Sequence, residues 1–199
     1  MACLLGLAFW QLGQGAYIPA KAWLAQGLMV RAWERAGNGA EEPVPWPWAD
    51  TWPVARLLAR DGQVDLIVLA GGSGRTLAFG PGPLGVSATP GTTGNSVIAG
   101  HRDTHFRFLK DLAVGESLLI ESVDGTRHRY TIVDLDVVDS RRASIALDTA
   151  ESILSLVTCY PFDAHEAGGP LRYIVTAVKE TDVATNAQAA LSSGTAPRP

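Results

Sequence analysis

The sequence is poor in cysteine: it has two in 199 residues, Cys3 in an apolar N-terminal run and Cys159 far along the chain. That placement argues against an intramolecular disulfide, and no Cys/His group has the spacing of a zinc site. The four histidines likewise have no cysteine or acidic partner that completes a ligand set. The sequence therefore predicts a free thiol at Cys159, no metal and no cofactor.

An excess of basic residues is also lacking. Sixteen Lys and Arg stand against twenty Asp and Glu, for a net charge of -4, which disfavours a nucleic-acid partner. A Gly-rich stretch at Gly71–Gly74 has no following Lys-Ser/Thr pair, so it lacks the parts of a phosphate-binding loop and is predicted to be a turn.

No apolar run reaches the roughly 20 residues of a membrane-spanning helix. Residues 2–10 carry no polar side chain, however, and the uncharged stretch continues to Ala20. We expect residues 1–36 to form a short or truncated membrane anchor followed by an amphipathic helix, Ala20–Ala36, with Trp23, Leu24, Leu28 and Trp33 near helical spacing. A cleaved signal peptide, which would need a cationic start and a cleavage site, and a buried core helix are the alternatives.

Residues 37–60 are expected to form a Pro/Trp-rich connector with a short helix. Four prolines and three tryptophans within Glu41–Pro53 preclude long regular structure. Two interpretations stay open: a stiff spacer that lifts a domain off a membrane, or a strap whose Trp46, Trp48 and Trp52 pack on that domain.

In residues 61–180, many short candidate strands are separated by turn residues, a pattern that is typical of a β protein. The Asp124-Gly125 pair predicts a tight hairpin, and short helical patterns occur only around Phe106–Leu112 and Leu147–Leu154. We predict a mostly β fold, a closed or nearly closed antiparallel barrel, and a disordered tail over residues 181–199. The candidate strands are Asp65–Leu69, Thr76–Phe79, Ser96–Ala99, Ser117–Ser122, Thr126–Val133, Ile153–Thr158 and Leu171–Lys179.

Cys159 ends one of these strands, because Tyr160-Pro161 must stop or divert it, and the thiol is thus expected at a rim that substrates can reach. A free cysteine has a pKa of about 8.5 and needs a basic or positive neighbour to supply thiolate. His101 can do this and can protonate a departing amine, while Arg172 can hold a carbonyl and stabilise an oxyanion. The three predict acyl transfer through a thioester. Taken singly, each also has a plain structural interpretation: a core cysteine, a loop histidine beside Asp103, and a surface arginine.

Several motifs resemble those of the sortase family. The segment Ser155–Cys159 is similar to the family's Thr-Leu-x-Thr-Cys signature, with Ser155 where the signature has Thr, and Tyr160–Phe162 resembles the proteobacterial branch, class GN. Further matches are Leu77–Gly82, Gly94–Phe106 and Pro170–Tyr173.

The resemblance implies an eight-stranded β-barrel with Cys159 as nucleophile, His101 as general acid/base and Arg172 as the oxyanion group. Thr158, Ser155 and Asp103 are candidates for substrate binding. The implied substrate is a protein with a C-terminal signal similar to Leu-Pro-x-Thr-Gly, one dedicated target in that branch, which is transferred to an amine that the sequence does not identify. The implied location is the inner membrane, with the catalytic domain facing the periplasm.

Two other functions are compatible with the same sequence features. A cysteine peptidase or amidase would use the same thiolate with water as the acceptor, and a non-catalytic barrel would only bind an extended peptide.

Overall fold

The structure, a computed structural model, describes residues 23–164 and 168–180. Within them lie an α-helix over residues 23–37 (α1), a one-turn helix Gly74–Leu77 (α2) and two short 3-10 segments, Arg60–Gly62 and Arg107–Asp111. The strands are Pro53–Ala59 (β1), Val64–Leu69 (β2), Gly82–Pro83 (β3), Gly94–Ala99 (β4), Ser117–Ser122 (β5), Arg127–Asp139 (β6), Ser152–Cys159 (β7) and Leu171–Lys179 (β8).

The strands form one sheet in the order β2-β1-β5-β6-β8-β7-β4-β3. Its two edges meet where the Leu69 amide, at the end of β2, donates to the Pro81 carbonyl just before β3 at 2.8 Å. The sheet is therefore a nearly closed barrel, and the predicted mostly β, eight-stranded architecture is confirmed. The prediction of a wholly antiparallel barrel was wrong in one respect, because β4 and β7 run parallel.

The barrel interior is filled by the inward residues of alternating strands. In β1, every second residue from Pro53 is buried, and Leu57 is fully so. Each fully buried aliphatic side chain contributes about 1.5–3 kcal/mol relative to an exposed one. The largest fully buried side chains of this core are Leu57, Ile98, Phe106, Leu109, Leu118, Ile120, Tyr130, Ile132, Leu154 and Leu156.

The predicted helix before the barrel is present as α1 over its described part, but its buried face differs from the expected one. The buried residues are small or flexible ones at helical spacing, Ala25, Met29, Ala32 and Ala36, whereas Trp23 is 80% exposed. Small side chains let the helix approach the barrel closely, so Trp23 and Leu24 are left exposed while Leu28 and Trp33 are half-buried. The helix ends as expected at residues 37–39, where Gly39 has a φ of 87°.

The Trp-rich segment lies against the barrel, which favours the strap over the spacer. The Trp46 ring contacts Phe79 edge-on at 4.9 Å between centroids. The Thr51 hydroxyl donates to the Ala70 carbonyl, and the Ala70 amide donates to the carbonyl of Trp52. Trp48 is the exception, since it is 82% exposed.

Three local predictions need correction. β1 occupies the part of the connector where a short helix was expected, and it pairs with β2 and β5, so the sheet begins before residue 61. The strand expected over Thr76–Phe79 is instead α2, because the Ser73 side chain accepts a hydrogen bond from the Thr76 amide and caps a helix. The helix expected over Leu147–Leu154 is absent, since β7 begins at Ser152.

The expected hairpin at Asp124-Gly125 is present between β5 and β6. The Gly125 amide donates to the Ser122 carbonyl at 2.9 Å, and Gly125 has a φ of 81°. The Asp124 carboxylate accepts from the Thr126 amide. That bond lowers the pKa of Asp124.

Among the described residues, no helix combines the length and apolar character that crossing a bilayer requires. Most of the predicted anchor, together with Cys3, falls on residues 1–22, outside the described residues. The tail over 181–199 and His165 also lie outside them.

Candidate active site

Cys159 is the last residue of β7, and its side chain is half-buried with a free thiol. The chain leaves the sheet at once through Tyr160-Pro161, whose peptide bond is cis. Since proline has no amide to donate, the strand ladder cannot continue past this point. The structure therefore places the thiol at the end of a strand, as the sequence predicts.

Arg172 lies directly opposite Cys159, on the antiparallel neighbour β8. The same face of β8 presents Ile174 next, while the alternate residues Val175 and Ala177 point into the core. Cys159 and Arg172 thus share the outer face of the sheet, because successive side chains of a strand point to opposite sides.

The guanidinium of Arg172 is held by the start of its own strand. Its Nη1 donates to the carbonyls of Gly169 and Leu171, both at 2.8 Å. Within residues 23–164 and 168–180, Nε and Nη2 make no hydrogen bond. Arg172 is thus the residue paired with Cys159, and among the described residues two of its donor nitrogens are available to a ligand.

His101 reaches the same end of the sheet through the parallel pairing of β4 and β7. Ala99 pairs with Val157, and the Gly100 amide donates to the Val157 carbonyl at 3.1 Å. Because the strands are parallel and in register, the residues two places beyond each partner, His101 and Cys159, emerge at the same edge. His101 is exposed, and its carbonyl accepts from the Phe106 amide at 3.0 Å.

Gly100 is required for this loop to pack as it does. A Cβ at this position would lie 2.8 Å from the Phe106 ring, which is fully buried. Any larger residue must displace either the ring or the backbone that carries His101.

Thr158 supports the site from the inside. It is buried at 2% exposure, and its hydroxyl donates to the Gly100 carbonyl at 2.7 Å. The bond ties the strand of the cysteine to the loop of the histidine. With its hydroxyl turned inward and engaged, Thr158 fits a scaffold role better than direct contact with a substrate.

The other two predicted substrate-binding residues, Ser155 and Asp103, are each surrounded by or bonded to other protein groups. Ser155 is buried at 2% exposure in the middle of β7, between Val97 of β4 and Thr176 of β8. Asp103 is exposed, but its carboxylate accepts two hydrogen bonds from Arg102. These bonds, more than the neighbouring charges, lower the pKa of Asp103.

Arg102 is a site residue that sequence reasoning missed. Its side chain is only 5% exposed although it carries a charge. The motif itself held a signal, because Arg102 stands between the two predicted site residues His101 and Asp103.

An aromatic cluster, which we define as Tyr160, Phe162 and Tyr173, adjoins the reactive residues. The Tyr173 ring lies 5.2 Å from Phe162 and 6.3 Å from Tyr160, between centroids. Burial raises the pKa of Tyr173, and the neighbouring Tyr160 raises it further. Phe162 and Tyr173 also pack against the barrel core, so the cluster anchors the chain that follows Cys159.

His105 links the histidine loop to the segment after α2. Burial, and secondly the nearby His101, lower the pKa of His105, while a hydrogen bond with the Phe79 backbone opposes them. The lowered pKa keeps His105 neutral near pH 7. Among the described residues, no group of three or more His, Cys, Asp or Glu is placed to hold a metal ion.

The Sortase domain model matches residues 59–180. The match covers more than half of the chain, and the chain belongs to the sortase family.

Two kinds of relatives agree with this assignment. Sortase D of Bacillus subtilis (strain 168) is 34% identical over 114 residues, 57% of each chain, so this chain spans a little over half the length of that relative. A Sortase D5 transpeptidase from Clostridium perfringens has a similar structure, with a TM-score of 0.58 and 25% identity over 65% of this chain and 80% of that one. Sortase A from Corynebacterium diphtheriae, as a lid mutant, shares the fold with a TM-score of 0.59 and 23% identity, covering 79% of this chain and 94% of the other.

Proposed function

We propose that this protein is a cysteine transpeptidase with Cys159 as nucleophile, His101 as general acid/base and Arg172 as the oxyanion group. The observation that carries the proposal is the pairing of Cys159 with Arg172 on the outer face of β7 and β8, at the edge where His101 emerges. Thiol, imidazole and guanidinium at one edge are the groups that acyl transfer needs.

In the first half of the reaction, the Cys159 thiolate adds to the carbonyl carbon of the scissile peptide bond. Nε and Nη2 of Arg172 donate to the oxygen that becomes negative, because neither has a partner in the described part of the chain while Nη1 holds the group in place. The tetrahedral intermediate collapses with cleavage of the C–N bond. His101, as imidazolium, gives its proton to the leaving amine, and a thioester on Cys159 remains.

In the second half, an acceptor amine attacks the thioester carbonyl. Neutral His101 takes the proton from the attacking nitrogen, and the C–S bond breaks to return the thiolate. The exposure of His101 is consistent with this exchange, since the imidazole must meet two different amines in turn.

The substrate class that we propose is a protein with a C-terminal sorting signal similar to Leu-Pro-x-Thr-Gly. Family membership supports it, as does the position of the reactive pair on an open outer face. A single dedicated target and the proteobacterial class GN subtype are further proposals, which rest on Tyr160–Phe162 and on the N-terminal apolar and Trp-rich segments. A panel of signal peptides that differ at one position each would measure how narrow the specificity is.

We also propose that residues 1–36 hold the protein at the inner membrane with the barrel facing the periplasm. The proposal rests on the uncharged N-terminal stretch. Cell fractionation followed by protease treatment of spheroplasts tests it. A barrel that stays protected in intact spheroplasts, or that fractionates without membrane, would contradict it.

Intact-mass spectrometry of the full chain in mild detergent tests the chemistry. The protein is mixed with sorting-signal peptides, with and without a small amine, beside Cys159→Ala. We expect a thioester adduct in the wild type alone, which the amine converts into an amide product. Release only to water would favour a peptidase, and the absence of any adduct across the peptide panel would contradict the nucleophile assignment.

A further inference from the structure

Arg102 is a buried cation that the proposed chemistry does not use. Its side chain is 5% exposed, whereas the carboxylate that pairs with it, on Asp103, is 67% exposed. Burying a guanidinium is unfavourable unless its donors are matched by acceptors. The partners that it does find therefore indicate what the residue is for.

Two of those partners lie in the segment that follows Cys159. Nη1 of Arg102 donates to the Pro161 carbonyl at 2.7 Å, and Nη2 donates to the Ala164 carbonyl at 3.0 Å. The planar guanidinium can reach both because its donors diverge in a fixed fork. Arg102 thus joins two segments that are distant in the sequence, the loop of His101 and the loop after the cysteine.

The remaining donors fix the guanidinium from the other side. Nε and Nη2 donate to the two carboxylate oxygens of Asp103 at 2.9 and 3.2 Å. A forked pair of this kind sets the orientation of the group as well as its charge. The charge also lies close enough to Cys159 and Asp163 to interact with both.

From these contacts we propose that Arg102 is a positioning residue, which clamps the Pro161–Ala164 segment to the His101 loop and so sets the placement of the thiol relative to the imidazole. The inference rests on the proposed function, in which those two groups must meet the same substrate. Its action is indirect, because the donors of Arg102 are occupied by protein atoms. Small errors in such placement are costly, and an offset of about 1 Å can reduce a rate by about a hundredfold.

Replacing Arg102 by lysine tests the hydrogen bonds of the clamp separately from the positive charge. Arg102→Lys keeps a cation near Cys159 but cannot reach both carbonyls and the carboxylate, since an ammonium lacks the planar fork. Arg102→Met removes both. Arg127→Met is the matched control, because Arg127 also forms an ion pair, with Glu121 on β5, but lies outside the site.

Two measurements are made on each full-length variant in detergent. The first is alkylation of Cys159 by iodoacetamide at pH 7, followed on the tryptic peptide so that Cys3 is counted separately. The second is kcat and KM for peptide transfer to an amine. Circular dichroism and thermal unfolding report the folded fraction.

We expect the lysine variant to alkylate within about twofold of the wild type, because the substitution leaves Cys159 itself unchanged and keeps a cation near it. Its kcat should nevertheless fall by about ten- to a hundredfold with little change in KM. The methionine variant should lose at least as much kcat as the lysine variant, and the control should lose neither alkylation rate nor kcat.

The proposal is overturned if the lysine variant transfers peptide at the wild-type rate, since charge alone would then suffice. It is also overturned if both variants lose kcat only in proportion to unfolded protein. Should the methionine variant fail to fold, the lysine variant decides. If the wild type itself forms no thioester, the proposed function fails, while a melting temperature of Arg102→Met equal to that of the wild type would separately overturn the clamp.

Discussion

Cys159 and Arg172 face each other across β7 and β8, at the end of a continuous ladder that begins with Ile153 opposite Val178. The register of that ladder is set by the buried residues of both strands. A slip by one residue would turn every side chain to the other face and would expose the core. The packing of the barrel thus fixes which residue stands beside the thiol, and the proposed chemistry depends on that register.

Arg172→Lys should lower kcat by about 10²- to 10³-fold, the usual effect of losing an oxyanion donor. In the wild type, Nη1 of Arg172 donates to the carbonyls of Gly169 and Leu171, and among the described residues the other two nitrogens have no partner. A single lysine ammonium cannot bind those carbonyls and also donate to the substrate oxygen. The measurement is steady-state transfer of a signal peptide to an amine. Arg129→Lys, on the exposed face of β6, is the control and should be unaffected. A rate within twofold of the wild type for Arg172→Lys would contradict the oxyanion role.

Thr158→Val should destabilise the protein by about 1–2 kcal/mol, because it leaves the buried Gly100 carbonyl without its partner while keeping the shape of the side chain. Turnover should fall as well, since the bond ties the histidine loop to β7. Urea unfolding and kcat are the measurements.

Thr158→Ser is the matched control for that experiment. It keeps the hydroxyl and should retain most of the turnover. If Thr158→Val and Thr158→Ser have equal turnover, the hydrogen bond from Thr158 to the Gly100 carbonyl does not position the loop that carries His101.

Gly100→Ala should cost about 1–3 kcal/mol, the usual range for overpacking, because the added Cβ would meet the Phe106 ring at 2.8 Å. The loop that carries His101 must then shift, so kcat should fall too. The control is Gly27→Ala, since a Cβ on that α1 residue meets nothing within 4 Å and alanine favours a helix. Combining Gly100→Ala with Phe106→Leu should restore part of the stability. No recovery in the double variant would mean that the ring is not the obstacle.

The sequence predicts the strands well where buried and exposed residues alternate between clear turns. β8 has the predicted bounds, and β5 does as well. The sequence does not predict β1, because this strand follows a segment dense in proline and tryptophan and itself begins with Pro53. Buried and half-buried residues nevertheless alternate along it. The sequence predicts a strand where the helix Gly74–Leu77 lies, because Ser73, whose side chain caps that helix, stands in a Gly-rich stretch that predicts only a turn.

At the site, motifs predict the reactive residues but not how the residues that support them are buried. Adjacent positions in a strand face opposite ways, so Thr158 and Cys159 cannot both line an outer groove, and this rule alone would have placed Thr158 inside. The burial of Arg102 has no such local signal. Its acceptors, Pro161 and Ala164, approach only when β4 and β7 pair in parallel, which is a property of the tertiary fold.

The ion pair of Asp139 with Arg141 should make stability depend on acid pH. Hydrogen bonds from the Arg141 side chain, and then from its amide, lower the pKa of Asp139 from 3.8 to about 2. The pair lies at the end of β6, where Asp139 is opposite Leu171, next to Arg172. Well above pH 4 the carboxyl is ionised in both the folded and the unfolded chain, so the stabilisation is complete.

Between pH 4 and 2 the unfolded chain takes up the proton first, and the stabilisation is lost as the pH falls through this window. Asp139→Asn should therefore unfold at a lower temperature than the wild type at pH 7, and the two melting temperatures should converge as the pH approaches 2. Thermal unfolding from pH 7 to pH 2 measures the difference. Asp148→Asn, in the exposed loop before β7, is the control. A difference between Asp139→Asn and the wild type that stays constant over the whole range would show that the carboxylate charge is not what Arg141 stabilises.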